Sequence, residues 1–425
     1  MEQGSSANEQ GQGGDDRRIT VVGGGLAGTL TAIVAAREGF AVTLVDPLPV
    51  YPPEFRAEQV LSEDVLSRMD LLDAVVGDAL AVRRSRTLRM LGPLHWVARE
   101  EEGPHFGVRY DEVVNRARAH LPASVRVVRG RAESIRVDQG EGGKAATQDV
   151  TVRGQGSVTS RLLVLATGQQ TQLLAQIGIE RKMVGKQHSV AIGFDIEVDG
   201  AAKAAFRDRV VTVFGPHWLG SDKHGAIDYL TFFLIGDTLR GNVFTNSPID
   251  GPWARAFRAQ PLQQLLHAVP WLERETGAIR GISNVRLRAS DLAVLESPAR
   301  PGVVCIGDTF LSPCPSTGLG IARMLNDIEL LVHDYLPAWF AEPGMDVQRI
   351  ERYYADPRKR RCDDEAVCNA VFHRGLTIGK GPRWIYRRVK GALQEVWVHR
   401  VSPRQRRKAR GDDATGTLKP VGTPR

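Results

Sequence analysis

The sequence is poor in cysteine and has no long apolar run. Its 425 residues hold four cysteines, Cys305, Cys314, Cys362 and Cys368. None forms a CxxC pair, and no histidine cluster stands at ligand spacing. This points away from a metal site or a disulfide framework and towards reduced, structural thiols. No run of about 18 uninterrupted apolar residues occurs, so no membrane-spanning helix is expected. The opening MEQGSSANEQGQGGDD lacks the basic start and apolar stretch of a secretory signal. Residues 1–17 read as a disordered leader on a cytoplasmic protein.

Hydrophobic content of 42% and charged content of 25% are ordinary for a globular chain. The length suggests two or three domains. The net charge of +7 is unevenly spread. Lys380 to Arg410 holds eleven Lys or Arg and one acid, Glu395, a local +10; subtracting it leaves −3 for the rest. A mildly acidic body points away from nucleic-acid binding by the fold itself.

What is present begins with punctuation. RITVV (Arg18 to Val22) is a short buried-strand run leading into Gly23-Gly24-Gly25-Leu26-Ala27-Gly28. A helical pattern runs from Leu26 to about Glu38, and AVTLV (Ala41 to Val45) ends at Asp46. Strand, Gly-rich turn, helix, strand and acid make a dinucleotide-binding βαβ unit. Gly23 permits the turn, Gly25 lets the backbone approach a pyrophosphate, and Gly28 allows close helix–strand packing. Asp46 is placed to accept hydrogen bonds from a ribose. The pattern then reads as mostly helical from Glu58 to Val76 and strand-like over Ala81 to Val97. Four β-rich runs between His188 and Thr245 suggest an antiparallel sheet inserted into the first domain.

A second motif lies about 280 residues later: Cys305-Ile306-Gly307-Asp308, then Pro313-Cys314-Pro315-Ser316-Thr317-Gly318-Leu319-Gly320. Together the two motifs resemble those of FAD-dependent monooxygenases of the para-hydroxybenzoate hydroxylase superfamily. The resemblance covers most of residues 18–345. It implies an α/β fold: a Rossmann-like FAD-binding domain (18–187 and 285–345, with about 80–105 joining the sheet) and a β-rich substrate domain (188–284); beyond it the sequence pattern itself reads as a helical C-terminal segment (346–401) and a disordered basic tail (402–425). It implies FAD held by Gly23, Gly25, Leu26, Ala27, Gly28, Asp46, Gly168, Gly307, Asp308, Gly318, Leu319 and Gly320. Arg56 and Arg109 stand where such enzymes carry further polar FAD contacts, although each would also suit a surface salt bridge. One departure is the strand end Ala166-Thr167-Gly168-Gln169, where the family has an Asp-Gly pair linked to FAD and NAD(P)H.

In such enzymes the flavin, reduced by NAD(P)H, uses dioxygen to hydroxylate or epoxidise a small molecule, here in secondary metabolism. The protein supplies position and a dry pocket. Catalytic side chains are therefore left unassigned, and no metal is expected. Candidate pocket residues are Phe194, Phe214, Trp218, Tyr229, Phe232, Phe233, Phe244 and Pro315, about half of which should face the pocket because strand side chains alternate. They suggest a hydrophobic or aromatic substrate. His188, His217 and His224 are candidate acids or bases, with a structural role the plainer expectation. A flavin-halogenase W-x-W-x-I-P segment is absent. Two alternatives share the fold: a geranylgeranyl-reductase-like enzyme saturating prenyl chains, and a non-catalytic carrier. The basic C-terminal segment interleaves Trp384, Ile385, Tyr386, Val389, Leu393, Val396 and Trp397 with its cations. It would make a helix packed on the FAD domain, or one touching an anionic membrane.

Overall fold

The computed structural model describes residues 17–60, 62–90, 96–138, 147–215, 226–391 and 393–394. Strand β1 (Arg18–Val22), helix α1 (Leu26–Arg37) and β2 (Ala41–Val45) form the first βαβ unit. Then come β3 (Ala57–Val60), the short helices α2 (Glu63–Arg68) and α3 (Leu72–Val75), β4 (Ala81–Met90), β5 (Trp96–Arg109), α4 (Tyr110–Ala119) and β6 (Arg126–Val128). A meander of β7 (Ala132–Asp138), β8 (Thr147–Val152) and β9 (Gly156–Ser160) leads to β10 (Leu162–Leu165). After α5 (Gln172–Gln176), the long β11 (Glu180–Val198) crosses into the second half of the molecule. There lie α6 (Gly200–Ala205), β12 (Arg209–Phe214), β13 (Ile227–Ile235), β14 (Thr238–Thr245), α7 (Pro252–Ala259), α8 (Pro261–Ala268) and α9 (Glu273–Thr276). β15 (Ile279–Glu296) returns to β16 (Val303–Cys305), β17 (Leu311–Ser312) and α10 (Gly320–Glu329). A π-helical turn at Leu330–Tyr335 continues α10 into α11 (Leu336–Ala341), followed by α12 (Val347–Ala355) and α13 (Pro357–Ile378).

Three sheets result. The first is five-stranded and wholly parallel, ordered β16-β10-β1-β2-β6. Its strands are apolar on both faces, as a sheet covered on both sides requires; β10 (LLVL) is buried throughout. The second has nine strands, β17-β15-β11-β14-β13-β12-β4-β5-β3. β7–β9 form the third.

The large sheet departs from the antiparallel expectation, because β12 pairs parallel to β4. It is therefore mixed. The stretch read as helical from Glu58 opens instead as β3, which pairs with β5 from Ala57↔Arg109 to Val60↔Phe106. A four-residue edge strand carries too little periodicity to outweigh helix-forming neighbours. The leader, the basic tail after residue 401, and Trp218, His217, His224, Val396 and Trp397 lie outside the described residues.

The large sheet has two different faces. Phe194, Phe232, Leu230 and Val243 pack with Phe257 of α7 and Leu265 of α8 into a closed core. Tyr229, Thr231 and Phe233 point the other way from β13, towards the parallel-sheet domain. Strand alternation alone produces this division.

Candidate functional site

A groove of about 710 Å³ opens at the C-terminal ends of β1, β2, β10 and β16, where open α/β sheets place their ligands. Gly23 has φ +106, and a Cβ there would stand 2.4 Å from the Ala166 carbonyl oxygen. At Gly28 a Cβ would fall 1.9 Å from the Gly23 carbonyl oxygen. These two glycines are demanded by the fold. Gly25 differs: a Cβ there meets nothing within 4 Å. It caps α1 with extended backbone, and Gly25, Leu26 and Ala27 all line the groove. A helix start with open space before it suits a phosphate group.

Asp46 closes the turn. Its Oδ2 accepts from the Gly24 N–H at 2.7 Å, and its Oδ1 accepts from the Leu48 N–H at 2.9 Å. Arg118, from α4, reaches Oδ1 at 3.0 Å and also donates to the Gly24 carbonyl. A carboxylate has about four acceptor positions. Three donors are accounted for, which leaves room for one ribose hydroxyl.

The distant segment completes the groove. After β16, a 3-10 turn at Gly307–Thr309 brings Asp308 to the groove wall. From the other side Thr167, Gly168 and Gln169 follow β10; Gly168 adopts φ +64. Arg181 of β11 ties these ends together, donating to the carbonyls of Gly168 (3.1 Å), Asp308 (3.2 Å) and Thr309 (2.9 Å). Gly318 is left-handed at φ +67, and Gly320 begins α10. Arg56 lies over the Tyr110 ring at 4.1 Å and pairs with Glu58. Burial pushes the Tyr110 phenol up to about 12, keeping it a neutral donor.

A second cavity of about 230 Å³ adjoins the groove. The two share Arg56, Gln169, Arg288, Asp308, Gly320 and Ile321. The cavity's apolar wall is Tyr229, Phe233 and Phe244; the Tyr229 and Phe244 rings stack at 4.5 Å. Pro313 and Pro315 line the flank formed by the loop before α10. Polar side chains line the remainder, among them Thr212, Asn242 and Ser290, and two pairs are held by hydrogen bonds. Gln59 Nε2 donates to Thr231 Oγ1 at 2.7 Å, and Gln169 Nε2 donates to Ser312 Oγ at 2.8 Å. Both arginines at the rim are paired, Arg56 with Glu58 and Arg288 with Glu54 at 3.8 Å.

Behind α10 lies a buried quartet. Arg323 pairs with Asp327 (3.1 Å) and Asp363 (3.3 Å), and Lys359 with Asp327 (2.7 Å) and Asp363 (3.2 Å). Arg323 also donates to the Leu311 carbonyl at 2.9 Å. The C-terminal helix α13 thus fixes the helix whose first turn borders both cavities.

The structure brings most of the sequence candidates together. Gly23, Gly25, Leu26, Ala27, Asp46, Arg56, Gly168, Gly307, Asp308 and Gly320 border the groove. Tyr229, Phe233, Phe244, Pro315 and Gly318 border the second cavity. Gly28 packs beneath the turn, and Leu319 turns into the core beside β16. Three expectations need correction. Phe194 and Phe232 face the opposite side of the sheet and are fully buried with α7 and α8. Phe214 stands one ring outward, 5.7 Å from Tyr229 and beneath the Arg89 guanidinium. Arg109 turns away from the groove and pairs with Asp111 and Glu112; Arg118, two turns along α4, reaches the phosphate turn instead. His188, for which a structural role is the plainer expectation, is buried outside both cavities. Burial, and then the Arg374 guanidinium, push its imidazole down to about 4. Arg118, Arg181 and Gln59 were missed because nothing local in the sequence marks them; they reach the site across the fold.

No protein-family model and no curated protein matches the sequence. Solved structures do match in shape. The p-nitrophenol 4-monooxygenase PnpA from Pseudomonas putida DLL-E4 aligns over 93% of this chain and 97% of its own, with TM-score 0.68 and 17% identity. Klebsiella pneumoniae HpxO, solved with FAD and uric acid, covers 89% of this chain and 92% of its own, at TM-score 0.62 and 16% identity. Aklavinone-11 hydroxylase, solved with FAD and aklavinone, covers 86% of this chain and 70% of its own, at TM-score 0.61 and 16% identity. The chain has the fold that the two sequence motifs imply, that of the para-hydroxybenzoate hydroxylase-like FAD monooxygenases.

Proposed function

We propose that this chain is an FAD-dependent monooxygenase that hydroxylates or epoxidises a small, uncharged aromatic molecule, with NAD(P)H as reductant. The observation that carries the reading is the continuity of the two cavities through Arg56, Asp308 and Gly320. A dinucleotide lying in the groove reaches the second cavity without any change in the fold. The residues fit FAD: Gly25 leaves space for the diphosphate, Asp46 keeps one acceptor for a ribose, and Asp308 and the start of α10 stand at the far end. When bound, FAD supplies electron acceptance from the nicotinamide and the reaction with dioxygen.

The chain's own residues position and desolvate. Tyr229, Phe233 and Phe244 supply a dry aromatic wall that strengthens polar contacts inside. Thr231, held by Gln59, orients a polar group of the ligand. The paired state of Arg56 and Arg288 disfavours a carboxylate ligand, which would have to compete with Glu58 and Glu54. Thr167 stands where the family carries an acid, so the reductant is the step to test first.

The experiment is to purify the full chain, record its flavin absorbance, and follow NADPH and NADH oxidation with oxygen uptake against uncharged and carboxylated aromatic compounds. Expected are a yellow protein, reduction stimulated by an uncharged aromatic compound, and one oxygen atom from labelled dioxygen in the product. A colourless protein that cannot be reconstituted overturns FAD binding. Product formed without oxygen overturns the monooxygenase and favours a reductase.

A further inference from the structure

A helical segment at 382–391 follows α13. Its inner face is fixed by two residues one turn apart. Trp384 packs directly on the α13 backbone: a Cβ at Gly375 would lie 2.0 Å from its ring. Arg388 is buried and donates to the carbonyls of Leu376 at 2.7 Å and Gly375 at 3.4 Å. With that face anchored, Ile385, Tyr386 and Val389 point outward, at 58%, 65% and 50% exposure, and Leu393 beyond them at 64%. Val371 and Phe372 of α13 are exposed as well. Six of the twelve exposed large hydrophobic side chains among the described residues thus fall between 371 and 393. Such clustering is unusual for a surface with no partner.

The same stretch is strongly basic. Residues 380–394 include Lys380, Arg383, Arg387, Arg388 and Lys390 and no acid. Arg387 lies over the rings of Phe372 (5.2 Å) and Trp384 (5.1 Å), so its charge flanks the apolar strip. We propose that this face docks on an anionic lipid surface, the apolar side chains entering the headgroup boundary and the cations meeting lipid phosphates. Charge complementarity selects this occupant. A symmetric second copy would set the same cations against each other. Outside Lys380 to Arg410 the chain sums to −3, so its net attraction to anionic lipid lies in this C-terminal segment. Docking also places the site near the lipid. α13 packs on β13, and His373 of α13 stands 3.3 Å from Asp228, the neighbour of cavity-lining Tyr229.

The test is co-sedimentation of the full chain with vesicles of phosphatidylcholine, with and without phosphatidylglycerol. Binding is expected to the anionic vesicles only. Ile385→Ser/Val389→Ser should weaken it roughly tenfold or more. Arg387→Gln/Lys390→Gln should weaken it about fivefold per cation removed, with a loss that vanishes in high salt. Ile385, Val389 and Lys390 are exposed and Arg387 is half-buried over two rings, and an unchanged melting temperature verifies the fold. Absence of binding overturns the proposal. So does binding that the Ile385/Val389 pair leaves unchanged, because charge elsewhere in the basic segment would then account for it. Sedimentation velocity showing that either pair converts a dimer to a monomer would reassign the face to self-association.

Discussion

At the scale of single residues, the glycines of the first turn separate into two kinds that the sequence motif does not distinguish. Gly23 and Gly28 have backbone atoms where a methyl group would go, whereas Gly25 has open space. Gly28→Ala is therefore expected to destabilise the apoprotein by several kcal/mol, in the manner of an overpacked core. Gly25→Ala should leave apoprotein melting within about a degree while lowering flavin content, because its methyl enters the groove. Thermal melts of flavin-stripped protein, read beside flavin-to-protein absorbance ratios, separate the two effects.

His188 carries a pH prediction. Its folded-state value of about 4 lies below the ordinary histidine value, so between about 6.5 and 4 the unfolded chain binds the additional proton. The stability that depends on neutral His188 is present above about pH 6.5 and is lost as pH falls towards 4. The loss is up to about 3 kcal/mol. Arg374, whose guanidinium donates to the His188 carbonyl, opposes protonation, while Asp228 partly favours it. Urea titrations across pH 4–7 should show a shallower acid limb for His188→Asn than for the parent; parallel limbs would refute this account. Residue-level legibility followed the same division of local from remote. Asp46 and the glycines stood out because turn, helix and acid are close in sequence. Arg118 and Arg181 did not, because what each serves lies 94 residues away at Gly24 and 127 residues away at Asp308.

At the scale of elements, alternation divided the aromatic side chains of β13 correctly in kind but not by name. Knowing that half face the cavity does not say which half until the register of β13 against β14, with its irregularity between Ile227 and Tyr229, is fixed. β3 and the parallel β12–β4 pairing were illegible for a related reason, since both are created by partners distant in sequence. The contact between α10 and α13 gives a sharper test. The quartet of Arg323, Asp327, Lys359 and Asp363 has no net charge and lies almost wholly away from water. Removing one partner strands a buried charge. Lys359→Met should cost about 3–5 kcal/mol. Lys359→Met/Asp363→Leu leaves Arg323 and Asp327 paired and should recover most of that loss. Chemical denaturation of the parent, both single variants and the double variant measures the coupling; a double loss equal to the sum of the two single losses would show that the ions act independently.

At the scale of the whole molecule, the two motifs flanking an inserted β-rich stretch were enough to read the architecture, because each marks the same parallel sheet from opposite ends of the chain. The C-terminal helices α12 and α13 are built into the core. Ile350 and Tyr353 of α12 join the α1 and α10 cluster, and Tyr354 Oη accepts the Cys305 N–H at 2.7 Å. The sharing of six wall residues by the groove and the second cavity has a consequence for binding. Whatever fills the groove becomes part of the second cavity's wall, so the affinities of the two ligands are coupled. An aromatic ligand should bind flavin-loaded protein about tenfold or more tightly than stripped protein, and by reciprocity should slow flavin loss by raising its affinity by the same factor.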